Sequence, residues 1–286
     1  MPRGISLHVG INKVSSAFPS ASELKGAEND ALAMEAIAIE NKFNPHDVLL
    51  GSEATYGRVS TKIRAAAAEL NKGDFFLFTF AGHGFQRVDI APGDEPDFRD
   101  ETILLFDFEL YDDVLREVFW PLFRKGVRIL IVADSCHSGS VATAPGDALV
   151  NSESVTKANV RESIEIPVRT PDGLLARTIS PVTGERHLAE YGLFYQLPTV
   201  PLLNPPINAS VLLLAACEDD QTTGDLLPHG VFTAALLKVL KDQKPVDYPD
   251  LHKKLGKELA SRPQDPVLKP IEPADEEFMA QKPFTI

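Results

Sequence analysis

Apolar and polar positions alternate between two periods along the first 140 residues. Ile5-Ser6-Leu7-His8-Val9 predicts a strand, and behind the candidate N-cap Ser22 the residues Leu24, Ala27, Ala31 and Met34 recur at helical spacing. Asp47 to Leu50 supplies a second short strand, and Val59, Ile63, Ala66 and Leu70 form the apolar stripe of a second helix. Gly73-Asp74 then turns the chain into the run Phe75-Phe76-Leu77-Phe78-Thr79-Phe80. That run is too densely apolar for an edge strand, so it is predicted to be central. Asp112 or Asp113 caps a helix carrying Val114, Val118, Phe119 and Leu122, and Val127 to Ala133 is a further buried strand. Strands and helices in this order predict an α/β protein with a central, mostly parallel sheet and helices on both faces.

From about Thr143 to Asn208 the periodicity fails, and Pro, Ser, Thr and basic residues accumulate. Residues 143–208 therefore read as a long insertion or linker within a single domain spanning 1–286, and stretches of that length inside compact domains are usually functional or mobile. Regular structure resumes with the strand Ser210 to Ala215, a loop from Cys217 to Pro228, and helices around Phe232 to Leu240 and Leu251 to Leu259. The Pro-rich tail from Pro263 to Pro283 is expected to pack along the surface.

Composition narrows the function. The chain has 286 residues, 44% of them hydrophobic, enough for a substantial core without external staples. Two cysteines cannot build a disulfide framework, and a strand-like segment begins almost at the N-terminus, so a reducing cytoplasm is the expected location. The longest apolar runs are too short to cross a bilayer, so no membrane span is expected. A net charge of −13 disfavours binding to nucleic acid and suits cationic partners.

Two predicted central strands end in reactive pairs, His83-Gly84 and Cys136-His137, where an α/β sheet collects its functional residues. A cysteine in a tight turn before Ser138-Gly139 can offer its own amide, together with that of Gly84, as an oxyanion hole. The imidazole of His83 can protonate a leaving amine and deprotonate a thiol whose free pKa is about 8.5. Cys217, at the end of an apolar strand, reads as a small buried hydrophobe. Two cysteines and scattered histidines without ligand spacing argue against zinc, and no G-x-S-x-G elbow surrounds Ser135 or Ser138.

The phrase Thr79-Phe80-Ala81-Gly82-His83-Gly84, followed 53 residues after His83 by Cys136 within Asp134-Ser135-Cys136-His137-Ser138-Gly139, resembles the caspase-fold cysteine peptidases of clan CD, peptidase C14. Metacaspases and their prokaryotic relatives are the nearest likeness. Leu24 to Ala31 resembles their first-helix motif, Asp100-Glu101-Thr102 and Asp112-Asp113 their acidic loops, and Ala216 to Gln221 with Gly230 to Thr233 the segment after their fifth strand. The resemblance implies a three-layer α/β/α fold and a cysteine endopeptidase with a His83/Cys136 dyad, the amides of Gly84 and Cys136 serving the oxyanion. It implies an acidic substrate pocket of Asp30 and Asp134, lined also by Ala81, and cleavage after Arg or Lys in protein or peptide substrates. No cofactor is required for the chemistry. Calcium is implied as an activator at Asp100, Asp112 and Asp113, although Thr143 stands where a fourth carboxylate would fall. The rival reading is a caspase-like binding or scaffold module without turnover.

The 143–208 segment contains Lys157, Arg161, Arg169, Arg177 and Arg186, five candidate P1 residues tethered to the domain. A basic-specific pocket should meet one of them at high effective concentration, so the segment should be cut in cis or lie across the site as a plug. The competing expectation is a folded excursion anchored by Val168, Leu174-Leu175 and Leu193-Phe194-Tyr195.

Overall fold

The computed structural model describes all residues except 17–20, 89–98, 113, 137–167, 180–204, 219–220 and 272–275. Its main sheet is built from β1 (Gly4–Gly10), β2 (His46–Leu50), β3 (Phe75–Ala81), β7 (Arg128–Asp134), β9 (Ser210–Ala215) and β11 (Val267–Ile271), in the order β11-β9-β7-β3-β1-β2. All neighbours are parallel except β11, which runs antiparallel to β9. The Phe75 run lies in the interior of the sheet, as its uniform apolarity requires.

Both faces are covered, and the strand side chains alternate between them. Phe76, Phe78 and Phe80 join Ile129 and Ile131 in one apolar cluster with Val59 and Ile63 of α2 (Tyr56–Glu69) and with Trp120. Phe75, Leu77, Leu130 and Val132 point the other way, onto Met34 of α1 (Ala27–Glu40), Phe232 of α3 (Val231–Gln243) and Leu251 of α4 (Tyr248–Leu259). A strand buried on both faces has no polar side to present, hence the unbroken apolar runs. The exception is β1, where His8 bonds Thr79 Oγ1 and Ser6 Oγ at 2.9 Å each. Burial depresses the pKa of this ring to about 3, so it sits there neutral.

Four expectations are corrected. Helix α1 starts at Ala27 with Gly26 as its N-cap, so Ser22 does not cap it. The segment after Asp112 is two short helical stretches, Val114–Phe119 and Trp120–Leu122, and its Val118 and Leu122 are exposed rather than core. Asp100-Glu101-Thr102 is not a loop: it lies in β5 (Arg99–Leu104), the middle strand of a meander with β4 (Gly84–Val88) and β6 (Glu109–Tyr111). The Pro-rich tail contributes β11, in which Pro270 is tolerated because the strand lies at the edge of the sheet. Among the described residues, no helix is long and apolar enough to cross a membrane.

Candidate active site

Strands β3 and β7 are hydrogen-bonded neighbours with Ala81 opposite Asp134, so their carboxyl ends deliver His83 and Cys136 to one edge of the sheet. The turn between β3 and β4 passes so close to the β7 end that a Cβ on Gly84 would lie 2.2 Å from the Cys136 carbonyl oxygen. Only glycine allows that approach, and it sets the Gly84 and Cys136 amides side by side.

His83 is buried, and its Nε2 lies 2.7 Å from the Ser22 carbonyl oxygen. A carbonyl can only accept, so the neutral ring keeps its proton on Nε2 and its lone pair on Nδ1. Nδ1 is enclosed and has no hydrogen-bond partner among the described residues. Burial lowers the His83 pKa to about 4, against the opposing pull of the Ser22 carbonyl. The ring also neighbours the Thr178 main chain. Ser22, read as a helix cap, instead orients the imidazole through its backbone.

Cys136 is fully buried. Burial, reinforced by Cys217, pushes its thiol well above the ordinary cysteine range. Its Sγ receives the Thr223 N–H at 3.3 Å and lies 3.5 Å from the Thr223 carbonyl oxygen, to which the S–H can donate. Cys217 is also buried, with its Sγ 3.7 Å from the Ser135 carbonyl and 3.6 Å from that of Gln221, so it supports the floor of the site from beneath.

Part of the 143–208 insertion fills the cleft. Leu175 and Ala176 form β8, antiparallel to β10 (Gly224–Asp225), and Arg177 N donates to Thr223 O at 3.0 Å. The Arg177 carbonyl oxygen then receives two hydrogen bonds, from Gly84 N at 2.9 Å and Cys136 N at 3.2 Å. Those are the two amides expected to hold an oxyanion. Thr178 bridges to Gly84, and Ile179 is buried in the same apolar cluster as Phe85 and Ile103. Leu175 packs on Leu24, Ala27 and Ala81, so Ala81 borders the cleft two residues upstream of Arg177.

The Arg177 side chain is completely buried among carboxylates. Its Nη2 is 2.5 Å from Asp30 Oδ2 and 3.1 Å from Asp225 Oδ1; its Nη1 is 3.1 Å from Asp134 Oδ2 and donates to the Asp134 carbonyl at 3.0 Å. Desolvation disfavours the cation, but the three carboxylates overcome it and raise the guanidinium pKa further. Each acid is held by other donors. Asp30 accepts from Gly230 N at 3.1 Å and lies 3.0 Å from His229 Nδ1. Asp134 accepts from Thr233 N at 3.0 Å and Thr233 Oγ1 at 2.7 Å, and burial nonetheless pushes its pKa up. Asp225 accepts from Lys25 N at 2.7 Å and Gly26 N at 3.1 Å. Gly230 leaves room for the guanidinium, since a Cβ there would lie 2.4 Å from Arg177 Cζ.

The structure therefore brings His83, Gly84, Cys136, Asp30, Asp134 and Ala81 to one cleft. Of the five basic residues in the insertion, Arg177 is in the pocket, and Arg169 is exposed and bonded to the Gly173 carbonyl. Lys157, Arg161 and Arg186 lie outside the described residues, as do the proposed anchors Leu193-Phe194-Tyr195. Of the residues expected to bind calcium, Asp112 is buried, and Asp113 and the Asp100 side chain lie outside the described residues. Thr223 and Asp225 were missed by sequence reasoning. Nothing in the pattern separates Asp225 from Asp219 and Asp220 a few residues earlier; only the pairing of β10 with β8 does.

Residues 3–282 match the peptidase C14 family, caspase domain. Metacaspase-1 of Saccharomyces cerevisiae is 25% identical over 94% of this chain and 67% of its own length. Metacaspase-9 of Arabidopsis thaliana is 28% identical over 78% of this chain and 80% of its own. The crystal structure of a Geobacter sulfurreducens protein superposes with a TM-score of 0.80 at 31% identity, covering 100% of this chain and 99% of that one. With the family matched over nearly its whole length, the chain belongs to the caspase-domain family, peptidase C14, and is a cysteine-type peptidase.

Proposed function

We propose that the chain is an endopeptidase in which Cys136 is the nucleophile and His83 the acid/base, cleaving protein or peptide substrates after a basic residue. One observation carries the reading. The backbone carbonyl of Arg177 rests on the Gly84 and Cys136 amides while its side chain meets Asp30 and Asp134. A P1 residue needs both contacts at once: a pocket for its side chain and donors for the oxygen that becomes negative in the transition state.

The proposed chemistry follows from these groups. Sγ of Cys136 attacks the P1 carbonyl carbon, and its proton passes to the free Nδ1 of His83. Charge gathering on the carbonyl oxygen is met by the two amides. The imidazolium then protonates the leaving amine, the C–N bond breaks, and water admitted to the site hydrolyses the thioester with His83 as base. Both groups are neutral in the closed molecule, since burial lowers one pKa and raises the other. The thiol is thus held as a thiol until substrate replaces the chain's own segment.

Occupancy by Arg177 also favours latency, because exogenous substrate must compete with a tethered occupant. The basic preference, the reducing location and activation by calcium are part of the same proposal. A fluorogenic peptide panel varying P1 among Arg, Lys, Asp and Ala, run with and without calcium, tests it. Turnover of a basic substrate, raised by calcium, is the expected result; preferential hydrolysis after Asp would overturn the pocket, and equal rates with and without the ion would overturn the activator.

A further inference from the structure

We infer that Asp225 is a specificity-determining residue and that the pocket takes arginine and rejects lysine. This narrows the proposed function and rests on its reading of Arg177 as an occupant of the P1 pocket.

The three carboxylates stand on two sides of the Arg177 guanidinium. The two terminal nitrogens of a guanidinium diverge in one plane, and here they serve different walls. Nη1 meets Asp134, through both its carboxylate and its backbone carbonyl, and Nη2 bridges Asp30 and Asp225. A lysine ends in one nitrogen on a shorter reach. It can meet one wall, leaving at least one buried carboxylate on the other without its cation. Such an orphan bears the full desolvation cost that the pair had offset.

Asp225 cannot move aside to relieve this. Its side chain is 5% exposed, and it is pinned by the amides of Lys25 and Gly26. A Cβ on Gly26 would lie 2.8 Å from Asp225 Oδ1, so the backbone there comes as close as it can. The same residue pairs through its main chain with Leu175. Asp225 therefore aligns the strand upstream of the scissile position and also reaches the P1 side chain, which neither Asp30 nor Asp134 does.

The test uses the full chain carrying Arg177→Gln, which removes the built-in occupant, and two fluorogenic peptides, Leu-Ala-Arg and Leu-Ala-Lys. We expect kcat/KM to favour arginine by about 100-fold, the scale of one charge-assisted bond plus an unpaired partner. Adding Asp225→Asn, which removes the charge and keeps one of the two acceptor oxygens that the Lys25 and Gly26 amides use, should shrink that ratio to about tenfold or less, mainly through KM on the arginine peptide. A merely structural Asp225 would lower both peptides alike and leave the ratio intact; that result, or equal turnover of the two peptides before the change, overturns the inference. A second measurement does not need turnover. In the Cys136→Ala chain, Arg177→Lys should lower Tm by more than half of what Arg177→Gln does, whereas a lysine that preserves Tm overturns the inference. A chain that hydrolyses no peptide fails the proposed endopeptidase function, and the melting comparison then decides the arginine inference by itself.

Discussion

Replacing Arg177 with glutamine should make the protein less stable and more active at the same time. In the intact chain the guanidinium is the shared cation of Asp30, Asp134 and Asp225, whose side chains are at most 5% exposed. Glutamine keeps some hydrogen bonding but no charge. Breaking a buried ion pair by removing one partner costs on the order of 3–5 kcal/mol, which at about 2 °C per kcal/mol for a chain of this size is a fall in Tm of roughly 6–10 °C. The loss should depend on pH. Burial already raises the Asp134 pKa, and without Arg177 it rises further. A carboxyl whose folded pKa lies above its unfolded value binds more protons when folded, so its variant recovers stability as pH falls and loses it as pH rises through the folded pKa. The deficit of Arg177→Gln relative to its parent should therefore be smaller at pH 5 than at pH 8. Melting is measured in the Cys136→Ala background, where no cleavage can intervene. In the active background the vacated pocket should raise kcat/KM for an arginyl peptide about tenfold, given a tethered competitor at roughly millimolar effective concentration. A variant as stable as its parent, or one with diminished peptide turnover, would refute the reasoning.

Other outcomes follow from the same geometry. Cys136→Ala should abolish peptide hydrolysis and Cys217→Ala largely spare it, since Cys136 follows the strand paired with the one that leads into His83, whereas Cys217 lies one strand further away with its Sγ against the Ser135 and Gln221 carbonyls; equal loss in two folded proteins would sink the assignment. Incubated wild type should yield fragments ending at Arg177 and beginning at Thr178, whereas Cys136→Ala stays whole. A wild-type chain that remains intact while turning over peptides is plugged rather than self-cleaving. His83, with a pKa of about 4 against an ordinary 6.5, should stay neutral at pH 5 when its ring is titrated by NMR. Because the unfolded imidazole binds its proton first, stability should be full above about pH 6.5 and decline as pH falls toward 4; a ring titrating near 6.5 would contradict the enclosed geometry.

Much of this was legible in the sequence because the central strands are unambiguous. The Phe75 and Val127 runs are apolar on both faces, and each ends in the motif that carries its chemistry, so topology and dyad emerge together. The alternation of Phe76 and Phe78 with Phe75 and Leu77 between two cores is the physical content of those runs. Other features left weaker traces. Strand β11 hides in a Pro-rich tail because an edge strand needs few amides and little apolarity, and the β4–β5–β6 meander hides among acidic residues. Asp30 could be a solvated helix acid by spacing alone, since its burial depends on Gly230 and Arg177, some 200 and 147 residues away. Arg177 was one of five equivalent basic residues; what singles it out is the pairing of Leu175-Ala176 with Gly224-Asp225, a long-range contact that local pattern does not encode. Ser22 misled because the cap reading considered its hydroxyl, whereas its carbonyl does the work.

The proposed role of Cys136 is that of a nucleophile served by a pocket for a basic side chain. Its most direct measurement is covalent labelling with a peptide chloromethylketone ending in arginine, followed by mass mapping of the modified residue. One adduct is expected, on Cys136, absent from His83→Ala and slowed in Asp134→Ala. A chain left unlabelled after Arg177→Gln has opened the pocket, or one labelled on Cys217 instead, would contradict it.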